Sequence, residues 1–153
     1  MIRILVLINA IALSLLFSCG NSTGERKLKV DDTTEIKNRA NKLYYQGKFE
    51  EAKRTFDTLI SVEPMQGEWY YKRAYSKAYL LYLNNSVFTD FRKAIALGYQ
   101  KVEALHNIGV IFQADKNFDS AVYYYSLALE LDPENIKARE SLYQVHSELK
   151  KLE

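Results

Sequence analysis

The chain's 153 residues, 48% of them hydrophobic and 26% charged, suffice for one domain with a continuous core and hardly for two. Lysine and arginine number 21 against 19 acidic residues, a near-balance that sets up no field able to hold a polyanion and argues against nucleic acid as a partner. The basic cluster Arg26, Lys27 and Lys29 is short and has no interleaved aromatics, so it reads as a solvated spacer that at most favours anionic headgroups.

The chain begins with an address. Met1, Ile2 and Arg3 form a short positive start, and Ile4 to Phe17 is an apolar run broken only by Asn9 and Ser14, the layout of a signal peptide over residues 1–18. As a helix this run spans about 21 Å, short of the roughly 30 Å of a bilayer core, so removal is expected rather than a permanent span. The residues that follow, Leu16-Phe17-Ser18-Cys19-Gly20, resemble the bacterial lipobox, with Leu16 and Ser18 in their usual places and Phe17 bulkier than usual. That resemblance implies a lipid on Cys19 and cleavage just before it. Cys19 is the chain's single cysteine and has no internal partner, so lipidation accounts for an exported lone thiol. The alternative is an ordinary secretory signal with an incidental thiol. One acyl chain binds membranes marginally, and the family's multi-chain modification would make anchoring stable. Residues 19–32 then form the lipidated cysteine and a polar, glycine-containing tether with a reach of about 20 Å.

Beyond the tether the sequence repeats itself. Asn41 to Pro64 and Val110 to Pro133 align with Phe49, Ala52, Phe56 and Pro64 matching Phe118, Ala121, Tyr125 and Pro133. Their 69-residue separation leaves room for a middle copy, supplied by Tyr70, Ala74, Phe91 and Ala94. Each copy predicts two amphipathic helices. In the third, Leu105, Ile108, Gly109 and Phe112 mark one face and Phe118, Ala121, Val122, Tyr125 and Leu129 another, with a tight turn at Lys116-Asn117. In the middle copy Val87 replaces an expected alanine, Gly98-Tyr99 stands where proline would end the unit, and the inter-helix turn falls around Asn84-Asn85-Ser86. After the third copy Asp132 is placed as an N-cap and Pro133 as the first residue of one more helix, striped by Ala138, Leu142, Val145, Leu149 and Leu152.

These positions resemble the tetratricopeptide repeat (TPR), a helix-turn-helix unit of about 34 residues with small residues where its helices cross. Here those are Ala40 and Gly109, Ala52 and Ala121, and Ala94 and Ala128. The resemblance covers residues 33–153 and implies an all-α, right-handed superhelical helix-turn-helix array. It comprises three TPR units, about 33–66, 67–101 and 102–135, and a capping helix over 136–152 that shields the last repeat.

Catalytic machinery is not legible. His106 and His146 lie 40 residues apart, the six glycines form no phosphate loop, and no metal set remains once Cys19 is acylated, so neither enzyme nor cofactor nor small-molecule substrate is expected. Of the twelve tyrosines, the repeat pattern puts Tyr70 and Tyr125 in packing positions. Carried over from the family, the concave groove holds Lys37, Asn41, Tyr44, Tyr71, Lys72, Tyr75, His106 and Asn107. Lys37 and Asn41 match the lysine and asparagine with which the carboxylate-clamping subfamily grips a peptide end by charge-assisted hydrogen bonds. The rest of the clamp departs: Lys72 stands for an asparagine, Glu103 for a lysine and Asn107 for an arginine. The alternative for these residues is a solvated helix face.

The expected function is a membrane-anchored scaffold or adaptor in the bacterial envelope, outer membrane or periplasmic face, binding a protein or peptide segment through the groove. Lipoproteins with this repeat assist outer-membrane protein insertion and pilus or secretin assembly, and the likeness to them is one of architecture. The alternative is a structural subunit of a larger complex that uses its convex or end surfaces, where Tyr79, Tyr123 and Tyr124 would matter more.

Overall fold

The computed structural model describes residues 30–81 and 85–151, with side chains from Asp32 onward. The leader, Cys19, most of the tether, Asn84 in the middle turn and Leu152 lie outside the described residues. Among the described residues there are seven helices and no strand: α1 (Val30–Tyr45), α2 (Phe49–Val62), α3 (Gly67–Tyr79), α4 (Asn85–Ala96), α5 (Lys101–Ala114), α6 (Phe118–Leu131) and α7 (Ile136–Leu149). None is long and apolar enough to cross a membrane.

Each helix forms because its apolar residues recur at helical spacing and find a neighbour to bury against. Ala52, Phe56 and Leu59 of α2 and Ala121, Tyr125 and Ala128 of α6 are buried at equivalent positions, as the repeat alignment predicts. Within a unit the two helices meet through small residues. A Cβ built on Gly109 would sit 2.5 Å from Cε1 of the fully buried Tyr125 ring, so α5 and α6 reach this separation only with glycine there. Gly67, at the start of α3, is held likewise against Cβ of Tyr99 at 2.7 Å, a close approach that carried no signal in the repeat pattern.

The units differ most in the middle. Val87 occupies the alanine position and is fully buried, so the slot admits two extra methyl groups. Asp90 of α4, 3% exposed, accepts from Nε and Nη2 of Arg73 at 2.8 and 2.6 Å and from the Lys77 amine at 2.8 Å. Arg73 also donates to Asp57 at 2.7 Å, so one side chain of α3 ties α2 to α4. This satisfied network was invisible to a search for apolar stripes.

Two sequence expectations need correction. Trp69, not Tyr70, takes the core position of α3: Trp69 stacks on Phe56 at 6.1 Å, and its indole donates to Glu63 at 3.0 Å. Tyr70, one residue and about 100° round the helix, is half-buried, donates to the Pro64 carbonyl at 3.1 Å and lies beneath Arg73. Asp132 is the C-cap of α6 rather than an N-cap, and α7 starts after Asn135, whose side chain accepts from Ala138 N. The Asp132 carboxylate instead accepts from Glu134 N and Asn135 Nδ2, and this local turn outcompetes a helix begun at Pro133.

The odd-numbered helices form one layer. α3 touches α5 and α5 touches α7, whereas α2, α4 and α6 pack on their chain neighbours, so the stack curves with α1, α3, α5 and α7 inside. α7 closes it by burying Ala138 and Val145, with Leu142 and Leu149 half-buried against α6.

Candidate functional site

The inner face has two unlike halves. Between α1 and α3 the cations are consumed internally. The Lys72 amine, almost fully buried, donates to Asn41 Oδ1 and Glu68 Oε1, both at 2.6 Å, and lies over the rings of Tyr44 and Tyr45 at 5.5 and 5.1 Å. Lys37 pairs with Glu63 at 2.6 Å, and this bond, together with that from Trp69, holds the Glu63 carboxyl below its usual range. Lys37, Asn41 and Lys72 are thus brought together, but as an internal network. Each cation already holds a carboxylate of this chain, so the amines that a carboxylate clamp would need are engaged.

Tyr44 is packed edge-on against Phe49, Phe56 and Tyr75, and burial pushes its hydroxyl pKa strongly up, with the neighbouring tyrosines adding to this. Tyr71 packs its ring against Phe91 and Tyr99, both at 5.7 Å, while its hydroxyl accepts from Asn107 Nδ2 at 3.1 Å, bridging α3 to α5. Burial raises the Tyr71 pKa to about 12, so it stays a neutral phenol. His106 places Nε2 3.0 Å from Ser141 Oγ of α7 and its ring 5.5 Å from that of Tyr125. Burial lowers the His106 pKa, and the Lys137 charge lowers it further.

Two contiguous hollows open on the α3–α5–α7 half. A cavity of about 480 Å³ is lined by Tyr71, Glu103, His106, Lys137 and the α6–α7 turn. A second, of about 280 Å³, is lined by Ala78, Tyr79, Leu81, Val110, Ile111 and Ala114. Tyr75 and Asn107 border both. Of the eight expected groove residues, Tyr71, Tyr75, His106 and Asn107 therefore line hollows, while Lys37, Asn41, Tyr44 and Lys72 belong to the packed half.

The second hollow holds residues the sequence did not mark. Tyr79, named for the convex or end surfaces of the alternative reading, lies here against Phe49 at 4.3 Å, still two-thirds exposed. Val110 sits one helical turn beyond Asn107 on α5, and that i, i+3 spacing was the signal that could have found it. Tyr124, assigned with Tyr79, is half-buried and stacked on Phe112 at 5.5 Å; Tyr123 beside it is exposed on α6. With apolar walls, bordering hydrogen-bonding groups and no assembled nucleophile, the hollows are suited to receive side chains of a bound segment.

Comparison with known proteins agrees with this architecture. Residues 37–77 and 102–135 each match a family described as tetratricopeptide repeat. Among solved structures, the first TPR of Spaghetti (RPAP3) bound to the HSP90 peptide SRMEEVD superposes with a TM-score of 0.69 at 24% identity, covering 80% of this chain and 97% of that one. The Arabidopsis OM64 TPR domain gives 0.68 at 19% identity, covering 76% and 95%. The second TPR domain of human RPAP3, in complex with the HSP70 peptide SGPTIEEVD, gives 0.66 at 20%, covering 74% and 94%. No curated protein matches the sequence. The spacing of small residues, the paired helices and these matches together show that the chain carries tetratricopeptide repeats within an all-helical TPR fold.

Proposed function

We propose that the chain is a membrane-tethered, non-catalytic adaptor whose inner face takes a segment of another cell-envelope protein. The observation that carries this reading is the pair of contiguous hollows on α3, α5 and α7, where Tyr75, Tyr79 and Val110 stay exposed although Ala74, Ser76, Ala104 and Ile108 of the same helices are fully buried. Apolar area left in water on a concave surface is area a partner can cover, at about 25 cal/mol per Å² before the costs of association. Structural neighbours that hold peptides support a peptide-sized occupant.

The tether rests on the pattern Leu16-Phe17-Ser18-Cys19-Gly20 and on the length of the apolar run before it. Metabolic labelling with a fatty acid should mark the wild-type chain and not Cys19→Ala, and the variant should stay unprocessed or become soluble. An unlabelled wild type, or a variant that fractionates with membranes in mature form, would refute acyl anchoring.

For the groove, chemical crosslinking in intact membranes should recover a partner whose yield falls at least fivefold in the double variant Tyr75→Ala, Val110→Ser; an unchanged yield would count against it. Both side chains are partly exposed, so the variants should keep wild-type helicity.

A second reading, a subunit of a larger envelope complex joined through outer or end surfaces, is favoured by the exposed Tyr123 of α6 and Tyr143 of α7. Mild detergent should then release a stable large assembly, and a monodisperse monomer would dismiss it.

A further inference from the structure

We infer that the segment taken by the inner face is cationic and carries an apolar side chain. That side chain enters the hollow of Tyr75, Tyr79 and Val110, and a neighbouring lysine or arginine lies over Glu103. The inference rests on the groove reading above and specifies its occupant.

Four observations fix the chemistry. The two hollows meet at Tyr75 and Asn107, so a single segment can fill the apolar one and continue into the polar one. The apolar hollow has carbon walls from Ala78, Leu81, Val110, Ile111 and Ala114 and no charged side chain among its lining residues, so it rejects a charged group and accepts a hydrocarbon one. The polar hollow is lined by three carboxylates, Glu103, Asp132 and Glu134, against one ammonium, Lys137. Glu134 is shared with Arg139 at 3.3 Å, where both side chains are largely exposed, and Asp132 accepts from Glu134 N and Asn135 Nδ2. Glu103, exposed on the first turn of α5, forms no ion pair among the described residues. Lastly, the two amines of the other half that could have drawn an anion are held by Glu63, Glu68 and Asn41.

A concave surface with low-dielectric walls focuses the field of such carboxylates toward an incoming cation. An acidic segment would have to pass Glu103, Asp132 and Glu134 with the single ammonium of Lys137 to receive it, and like-charge juxtaposition at an interface is strongly unfavourable. Charge therefore selects against the acidic peptide ends seen in the neighbouring structures and for their opposite.

The test uses the full chain in detergent and three end-blocked fluorescent heptapeptides. These share leucine and phenylalanine at the same alternate positions and carry lysine, glutamine or glutamate at the others. By fluorescence anisotropy at ~50 mM salt the lysine peptide should bind at least about tenfold tighter than the glutamate peptide, narrowing toward ~500 mM as the charges are screened. Glu103→Gln should weaken the lysine peptide about fivefold and leave the glutamine peptide unchanged, while Val110→Ser should weaken both. Equal or tighter binding of the glutamate peptide, or indifference of the lysine peptide to either variant, would overturn the inference. A lysine peptide that binds only when Arg26, Lys27 and Lys29 are changed to glutamine would make the chain's own basic stretch the occupant and overturn the assignment to a partner. The two levels separate cleanly. If membrane crosslinking survives Tyr75→Ala, Val110→Ser, the groove reading falls; if it is lost yet the glutamate peptide wins, only the charge inference falls.

Discussion

At the scale of single residues, Gly109 shows how strongly one hydrogen atom can be specified. Replacing glycine by alanine in a helix interior ordinarily gains about 1 kcal/mol from backbone entropy. Here the added methyl would meet the Tyr125 ring at 2.5 and 2.7 Å, and that ring is fully buried and anchored by its hydroxyl to Gln113 at 2.7 Å. Overpacking of this kind costs about 1–3 kcal/mol or more, so Gly109→Ala should lower urea-unfolding stability by on the order of 1 kcal/mol; a more stable variant would contradict the packing described. Gly109 was readable because the repeat spacing put a small residue at a helix crossing. Gly67, Trp69 and Asp90 were not, since each depends on a contact with a residue far along the chain: Gly67 on Tyr99, Trp69 on Phe56, Asp90 on Arg73. His106 makes a pH prediction. Burial holds its pKa below the value it has in the unfolded chain, so between the two values the unfolded state binds more protons and stability rises with pH. The contribution is complete above about pH 6.5 and is lost as pH falls below it toward the folded-state value. Urea midpoints measured from pH 7.5 to 5 should therefore decline more steeply in the wild type than in His106→Gln, and parallel curves would show that His106 is not the group responsible.

The helices themselves differ in how well their ends are finished, and the repeats let one unit serve as control for another. Asn117 and Lys48 occupy the same place, before α6 and α2, with nearly the same backbone: φ −85, ψ 77 against φ −82, ψ 63. Asn117 accepts a hydrogen bond from Ser120 N at 3.2 Å, and Lys48 makes no such cap. Asn117→Ala should thus cost about 1 kcal/mol and Lys48→Asn should gain a comparable amount, read from thermal or urea unfolding; a neutral Lys48→Asn would show that cap chemistry is not what distinguishes the two units. Helix existence was plain in the sequence because the apolar period runs through every unit. The ends were less legible. The rule that favours proline in the first turn pointed to Pro133, yet Pro64 and Pro133 both fall in short turns, each three residues before α3 or α7 begins. The α6–α7 turn is set by Asp132 accepting from Glu134 N and Asn135 Nδ2, a local competition that no hydrophobic pattern reports.

For the whole molecule, curvature is what turns a packed stack into a binding surface. Because α3 meets α5 and α5 meets α7 while, among the described residues, α2, α4 and α6 pack mainly on their chain neighbours, the inner face is concave and its side chains converge. Of the residues the family resemblance named on that face, Tyr71, Tyr75, His106 and Asn107 line the hollows. Likeness of position says nothing about whether a cation is already held: Lys72 matches a groove position and is buried under its own partners, Asn41 and Glu68. What remains available is the apolar and acidic end, whose Val110 and Tyr79 became visible only once the helices were stacked. The central claim is that a partner lies along this inner face. A photo-crosslinking amino acid placed at Val110 on α5, and separately at Tyr123 on the outer side of α6, tests it directly in intact cells. Irradiation should give a discrete higher-mass adduct from position 110 and none from position 123. An adduct from position 123 with none from position 110 would contradict it.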